Sequence, residues 1–187
     1  MRTVMQLRTI GLVLIALLAA VGSAGQAQAA SAAEIEADIN ATLGRFYQTV
    51  GSSRELATKA EAVLVFPTVV KAGIGIGGEY GEGALRLKSG RTAGYYNTIS
   101  ASIGFQLGAQ ARSVIIMFMT PHALASFQRT DGWKVGVDGS VTLVTVGAGG
   151  AIDTNTIRSP VIGFIVGQKG LMYNLTLEGS KISRIAR

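Results

Sequence analysis

The sequence predicts an α+β protein whose N-terminal helices pack on a predominantly antiparallel, barrel-like β-sheet. Three observations carry this. Apolar residues recur at helical spacing from Ile35 to Val50, the period changes to two near Val63, and glycine-bearing turn signals punctuate the rest of the chain. With 187 residues and no cysteine, the chain is long enough to bury one core by packing alone.

Residues 1–29 predict a secretory signal peptide. Arg2 and Arg8 precede an apolar run from Ile10 to Val21, and Ala27 and Ala29 supply an A-x-A site with cleavage after Ala29. The alternative is a membrane anchor, but the run falls short of the roughly 20 residues that span a bilayer. No cysteine follows it, which excludes lipoprotein processing. The expected organisation is therefore a signal peptide over 1–29 and one domain over 30–187, helical over 31–62 and β-rich over 63–187. An exported, periplasmic or envelope-associated protein follows.

Ser31 and Glu34 have the spacing of a capping box, and Ile35, Ile39, Leu43, Phe46 and Val50 form one apolar stripe behind it. Such a stripe is more often a packing face than a membrane-inserting one. "SRELATKAEAV" from Ser53 reads as a second, short helix. "VLVFPTVVK" is extended and broken by Pro67, as on an edge or a bend. Residues 99–110 alternate strictly, the clearest strand in the chain, and "RSVIIMFMT" (112–120) fits a strand buried on both faces. Pro121 opens a short helix, "PHALASFQR". "VIGFIV" and "LMYNLTLEG" flank Gly167–Gly170 as a hairpin, and Ser89-Gly90, Asp131-Gly132, Asp138-Gly139 and Glu178-Gly179 are turn signals.

The stretch "KAGIGIGGEYGEGALRL" (71–87) contains the glycine spacing of a dinucleotide-binding loop at Gly73, Gly75 and Gly78. Such a loop needs a helix directly after it and a carboxylate about 20 residues on. Here more glycines follow, and the sequence near position 98 is "YNTISAS", without an acid. Read with period two, Gly73, Gly75, Gly77, Gly81 and Gly83 line one face of a strand. A face without side chains lets a strand, a helix or a flat ligand such as an acyl chain approach the backbone closely, and packing against the N-terminal helices is favoured over ligand contact. Gly147, Gly149 and Gly150 repeat the theme.

Catalytic chemistry finds little support. A single histidine, His122, excludes a two-histidine metal site, and no G-x-S-x-G elbow is present. Glu79 and Glu82 fall on opposite faces of a strand, and Asp138 is better explained by a turn than by pairing with Asp153. Neither an enzyme, a metal site nor a cofactor is expected. Removing the two signal-peptide arginines leaves 15 basic and 11 acidic residues, a net charge near +4 that favours anionic surfaces. The basic residues are scattered without a recognition helix, so no nucleic-acid partner is expected.

Three blocks, "AVLVFPTVVKAGIGIGGEYGEGAL", "SIGFQLGAQARSVIIMFMTPHALASF" and "GQKGLMYNLTLEGSKI", occur in the order found in the SYLF-domain family, which the chain resembles from about Glu55 onward. The resemblance implies a phospholipid-binding module without catalytic activity. It also implies that the actin binding of some eukaryotic members is irrelevant to an exported chain. On this reading Arg86, Lys88 and Arg91, around the Ser89-Gly90 turn, are the first candidates to meet lipid phosphates, and Lys71 is a second. The helix from Glu34 to Val50 is a candidate for the apolar contact, against the acidity of its N-terminal half. Surface docking and an internal acyl cavity both remain open. The alternative function is a structural or interaction protein of the envelope, binding a protein or glycan partner through a strand edge.

Overall fold

The computed structural model describes residues 30–144, 158–167, 170–171 and 177–187, and of 72–76, 102–109 and 170–171 the backbone alone. The expected signal peptide, the glycines at 147, 149 and 150, and Asp153 lie outside the described residues. Helix α1 spans Ala32–Thr49, and its start is the capping box that the spacing predicts. The Ser31 hydroxyl accepts from the Glu34 N–H at 3.3 Å, while the Glu34 carboxylate accepts from the Ser31 N–H at 2.7 Å. The Ser31 N–H and, at 2.8 Å, the Ser31 hydroxyl both donate to the exposed Glu34 carboxylate and hold it below its usual range. Helix α2, Ser53–Lys59, follows after a tight corner in which the Ser53 hydroxyl bonds the carbonyls of Val50 and Phe46.

The sheet is built on one very long hairpin. Strand β1 runs Ala62–Leu87 and β2 runs Thr92–Phe118, paired antiparallel from Ala62↔Phe118 to Arg86↔Thr92. The alternating run at 99–110 and the apolar run as far as Phe118 thus share one strand, while Thr120, expected at the strand's end, caps the helix that follows. Along its other edge β2 takes two partners: β7 (Lys181–Ile185) on Tyr95–Ile99 and β5 (Val161–Gly167) on Ser113–Phe118. Strand β3 (Trp133–Lys134) extends the sheet beyond β7, and β4 (Thr142–Leu143) extends it beyond β5 in a parallel pairing. Strand β6 (Gly170–Leu171) closes the expected hairpin, with Gly167 opposite Gly170. The architecture is the expected α+β, a mostly antiparallel and strongly curled sheet with helices.

The hairpin doubles back on itself. A straight strand would hold Val65 and Gly83 roughly 60 Å apart. Instead, a Cβ placed on Gly83 would come within 1.9 Å of the Val65 carbonyl oxygen, and one on Gly81 within 2.7 Å of the Thr68 carbonyl oxygen. What approaches the glycine face at these two positions is therefore the other half of the same strand, where the sequence favoured the N-terminal helices. The fold in the ribbon falls where glycines face one another across the two strands, Gly73 opposite Gly108 and Gly75 opposite Gly104, and a register shift lies between those pairs. A second shift follows Pro67, whose missing N–H suits a bulge.

Doubling back gives the first half of β1 two buried faces. Leu64 and Phe66 join Val114, Ile116 and Phe118 in the core between the halves of the ribbon. Val63 and Val65, also buried, point the other way, as do Ile115 and Met117 on β2. Over this second face lies α1, with Ile35, Ile39, Leu43 and Phe46 buried and the Phe46 ring edge-on to Phe164 at 4.8 Å. Each such side chain contributes about 1.5–3 kcal/mol. The stripe is thus a packing face. Helix α3, Pro121–Arg129, starts behind Thr120, whose hydroxyl caps the Ala123 N–H, and it inserts Phe127 between Tyr96, Phe118 and Trp133. Of the four turn signals, Gly90, Gly132 and Gly179 hold left-handed φ values as expected, but at the fourth the left-handed residue is Gly136 instead of Gly139.

Candidate functional site: a basic groove at the hairpin tip

The tip of the hairpin is brought back to its base. The Lys88 N–H donates to the Glu61 carbonyl at 2.9 Å, so the turn at 88–91 sits beside the point where α2 gives way to β1. Between this tip and the two helices runs a groove of about 420 Å³. Leu43 and Tyr47 of α1, Ala57 of α2 and Val63 of β1 give it apolar walls, and Arg86, Lys88 and Gly90 line it from the hairpin tip. Its volume is that of a small-ligand site.

The four sequence-predicted cations separate here. Arg86 is half-buried and makes an ion pair with Glu36 while donating to the Asn40 side-chain oxygen at 2.7 Å. The same Glu36 carboxylate accepts from the Thr92 hydroxyl at 2.6 Å, so one acid on α1 ties the ends of both strands. Burial pushes the Glu36 carboxyl up, and the hydrogen bonds from Thr92 and Arg86, with the Arg86 charge, outweigh it and leave the group below its ordinary value. Lys71 lies elsewhere, 3.7 Å from the buried Glu79 carboxylate, which also pairs with the buried Arg112. Lys88 and Arg91 are exposed, and neither has a carboxylate in ion-pair reach among the described residues.

Sequence reasoning missed Tyr47, which lines the groove, and Arg54 beside it. Arg54, in the first turn of α2, places its guanidinium 4.9 Å from the centroid of the Tyr47 ring, a cation–π contact. Burial raises the Tyr47 hydroxyl above its usual value, opposed by the charges of Arg54 and Arg86. Nothing local marks Arg54, because its contact depends on the corner between the helices. The groove thus combines apolar walls with three cations near it that lack acidic partners among the described residues: Arg54, Lys88 and Arg91.

Other openings differ in chemistry. A groove of about 500 Å³ at the fold of the ribbon is lined by Arg45 and by the hydroxyl groups of Thr42, Thr68 and Ser113, but its second cation, Arg112, is committed to Glu79. The cavity between the two halves of the ribbon, bordered by Phe66, Glu79 and Arg112, is about 10 Å³, room for one water and not for an acyl chain. Among the described residues no group of three metal-ligating side chains occurs, and no helix is long and apolar enough to cross a membrane. His122 is exposed near the start of α3. Glu79 and Glu82, which might have formed a catalytic pair, are held apart in separate ion pairs, with Arg112 and with Arg187.

The described residues form an α+β domain, a doubled β-ribbon covered by helices with a basic groove at its tip. Residues 99–186 match the family model described as Ysc84, Las17-binding protein actin regulator, consistent with the SYLF-domain family. That family is associated with lipid and actin-related binding. No curated protein matches the chain.

Proposed function

We propose that this chain is a non-enzymatic phospholipid-binding module of the bacterial cell envelope, exported by its N-terminal segment and docking on anionic head groups. The observation that supports this most is the groove at the hairpin tip, whose apolar walls have Lys88 in their lining, Arg54 stacked on the lining residue Tyr47 and Arg91 next in sequence to Gly90, none of the three with an acidic partner among the described residues. Lipid phosphates meet the cations, at about 1 kcal/mol for each basic residue near an anionic surface. The apolar walls accept the glycerol and first methylenes below the head group. Arg86, which lines the groove, is committed to Glu36 and holds the tip in place, and Lys71 lies away from the groove beside Glu79.

The test is co-sedimentation of the protein with phosphatidylcholine and with phosphatidylglycerol vesicles at low and high salt. Binding to the anionic vesicles alone, weakened by salt, is the expected result. Sedimentation with neither would move the reading to an interaction protein of the envelope, to which the protein partner in the family's description lends support.

A further inference from the structure

A second surface lies along the tip half of the ribbon, where four strands carry one row of side chains in register. Tyr80 on β1 faces Ile99 on β2, Ile99 faces Lys181 on β7, and Lys181 faces Lys134 on β3. Residues directly opposite one another point to the same side of a sheet. The flanking residues Glu79, Thr98, Ile182 and Trp133 are all buried, so this row is the outward one. Tyr80 is 48% exposed and Ile99 50% exposed, an unusual load of apolar surface on an open sheet face.

Beyond the edge strand the pattern continues in a turn. Val137 is 77% exposed at its tip. The turn is built and held: Gly136 takes φ +87°, the Lys134 N–H donates to the Asp138 carboxylate at 2.7 Å, and the Asp138 N–H donates to the Lys134 carbonyl at 2.9 Å. The nearby acids are engaged, Asp138 by that backbone bond, Glu82 by Arg187, and Glu178 in contacts of its own beneath Gly136. Neither Lys134 nor Lys181 has a carboxylate in ion-pair reach among the described residues.

We propose that this row and the Val137 turn form a second docking face for an anionic phospholipid surface, with Lys134 and Lys181 at the phosphates and Val137, Ile99 and Tyr80 at the acyl boundary. The inference rests on the lipid-binding reading above and adds a face to it. Charge complementarity selects the occupant: two unpartnered ammonium groups beside apolar side chains suit a surface that is anionic outside and apolar within.

The chain has no cysteine, so single cysteines report position cleanly. Val137→Cys, and Ser89→Cys at the hairpin tip, each carrying an environment-sensitive fluorophore, are mixed with phosphatidylglycerol vesicles. A blue shift of the Val137 probe, together with a loss of vesicle affinity of about tenfold or more in Lys134→Glu/Lys181→Glu, is the expected result. A shift at Ser89 alone would overturn the second face and leave the groove standing. Sedimentation with no shift at Val137 would also overturn it, and absence of any vesicle binding would remove both readings. A shift without vesicles that grows with protein concentration would mean that the row seats a second copy of this chain, which contradicts the lipid assignment.

Discussion

Arg86 and Arg91 lie five residues apart on the same hairpin, yet they have opposite surroundings. Arg86 is held by Glu36 and Asn40 from a helix some fifty positions earlier in the chain, whereas Arg91 faces solvent with no acid in reach among the described residues. The same contrast separates the middle of the ribbon from its tip. At the middle, Lys71 and Arg112 converge on one buried carboxylate; at the tip, Lys88 and Arg91 are open. A cation's role in this protein follows from whether the doubled ribbon brings an acid to it. Paired cations define the shape, and open ones define the surface.

Substitutions that break the shape should have the largest effects. Gly83→Ala drives a methyl group into the backbone of Val65, which cannot swing away as a side chain end can. A loss above about 4 kcal/mol in urea unfolding, or failure to fold, is expected. Arg112→Met comes next, since it strands the buried Glu79 with only Lys71 at 3.7 Å, and should cost about 3 kcal/mol by the same measurement. Arg86→Ala removes a partly exposed pair, so its cost should be only about 1 kcal/mol. If Arg86 is a shape residue as argued, vesicle affinity then changes less than about threefold.

The smallest stability effect is pH-dependent. The folded-state value of Glu36 is depressed, so its contribution is fully present above the ordinary value of 4.5 and disappears as pH falls through the lowered one. Wild type and Glu36→Gln should therefore differ in unfolding free energy at neutral pH and converge in acid. A gap that stays constant down the acid range would show that Glu36 does not act through its charge.

Local features of the fold were legible because they depend on neighbours in sequence. The Ser31–Glu34 capping box, the Ile35–Phe46 stripe, the helix after Pro121 and the Gly167–Gly170 hairpin all fall where spacing puts them. The extent of β2 was not legible, because alternation lapses at "AQAR" and divides one strand into two patterns. Nor was the partner of the glycine face, since strand periodicity says that a backbone is approached but not by what. The site was half legible. Lys88 and Arg91 follow from a turn signal flanked by bases, whereas the fate of Arg86 and the presence of Arg54 depend on pairings that cross the topology.

The central claim is that open cations at the groove carry binding while paired ones carry the fold. Reversing Arg54, Lys88 and Arg91 together to Glu, and measuring partition onto phosphatidylglycerol vesicles alongside thermal unfolding, tests it most directly. The account predicts a loss of vesicle affinity of about a hundredfold, with unfolding free energy within about 1 kcal/mol of wild type. Unchanged partition of a folded triple variant would contradict it.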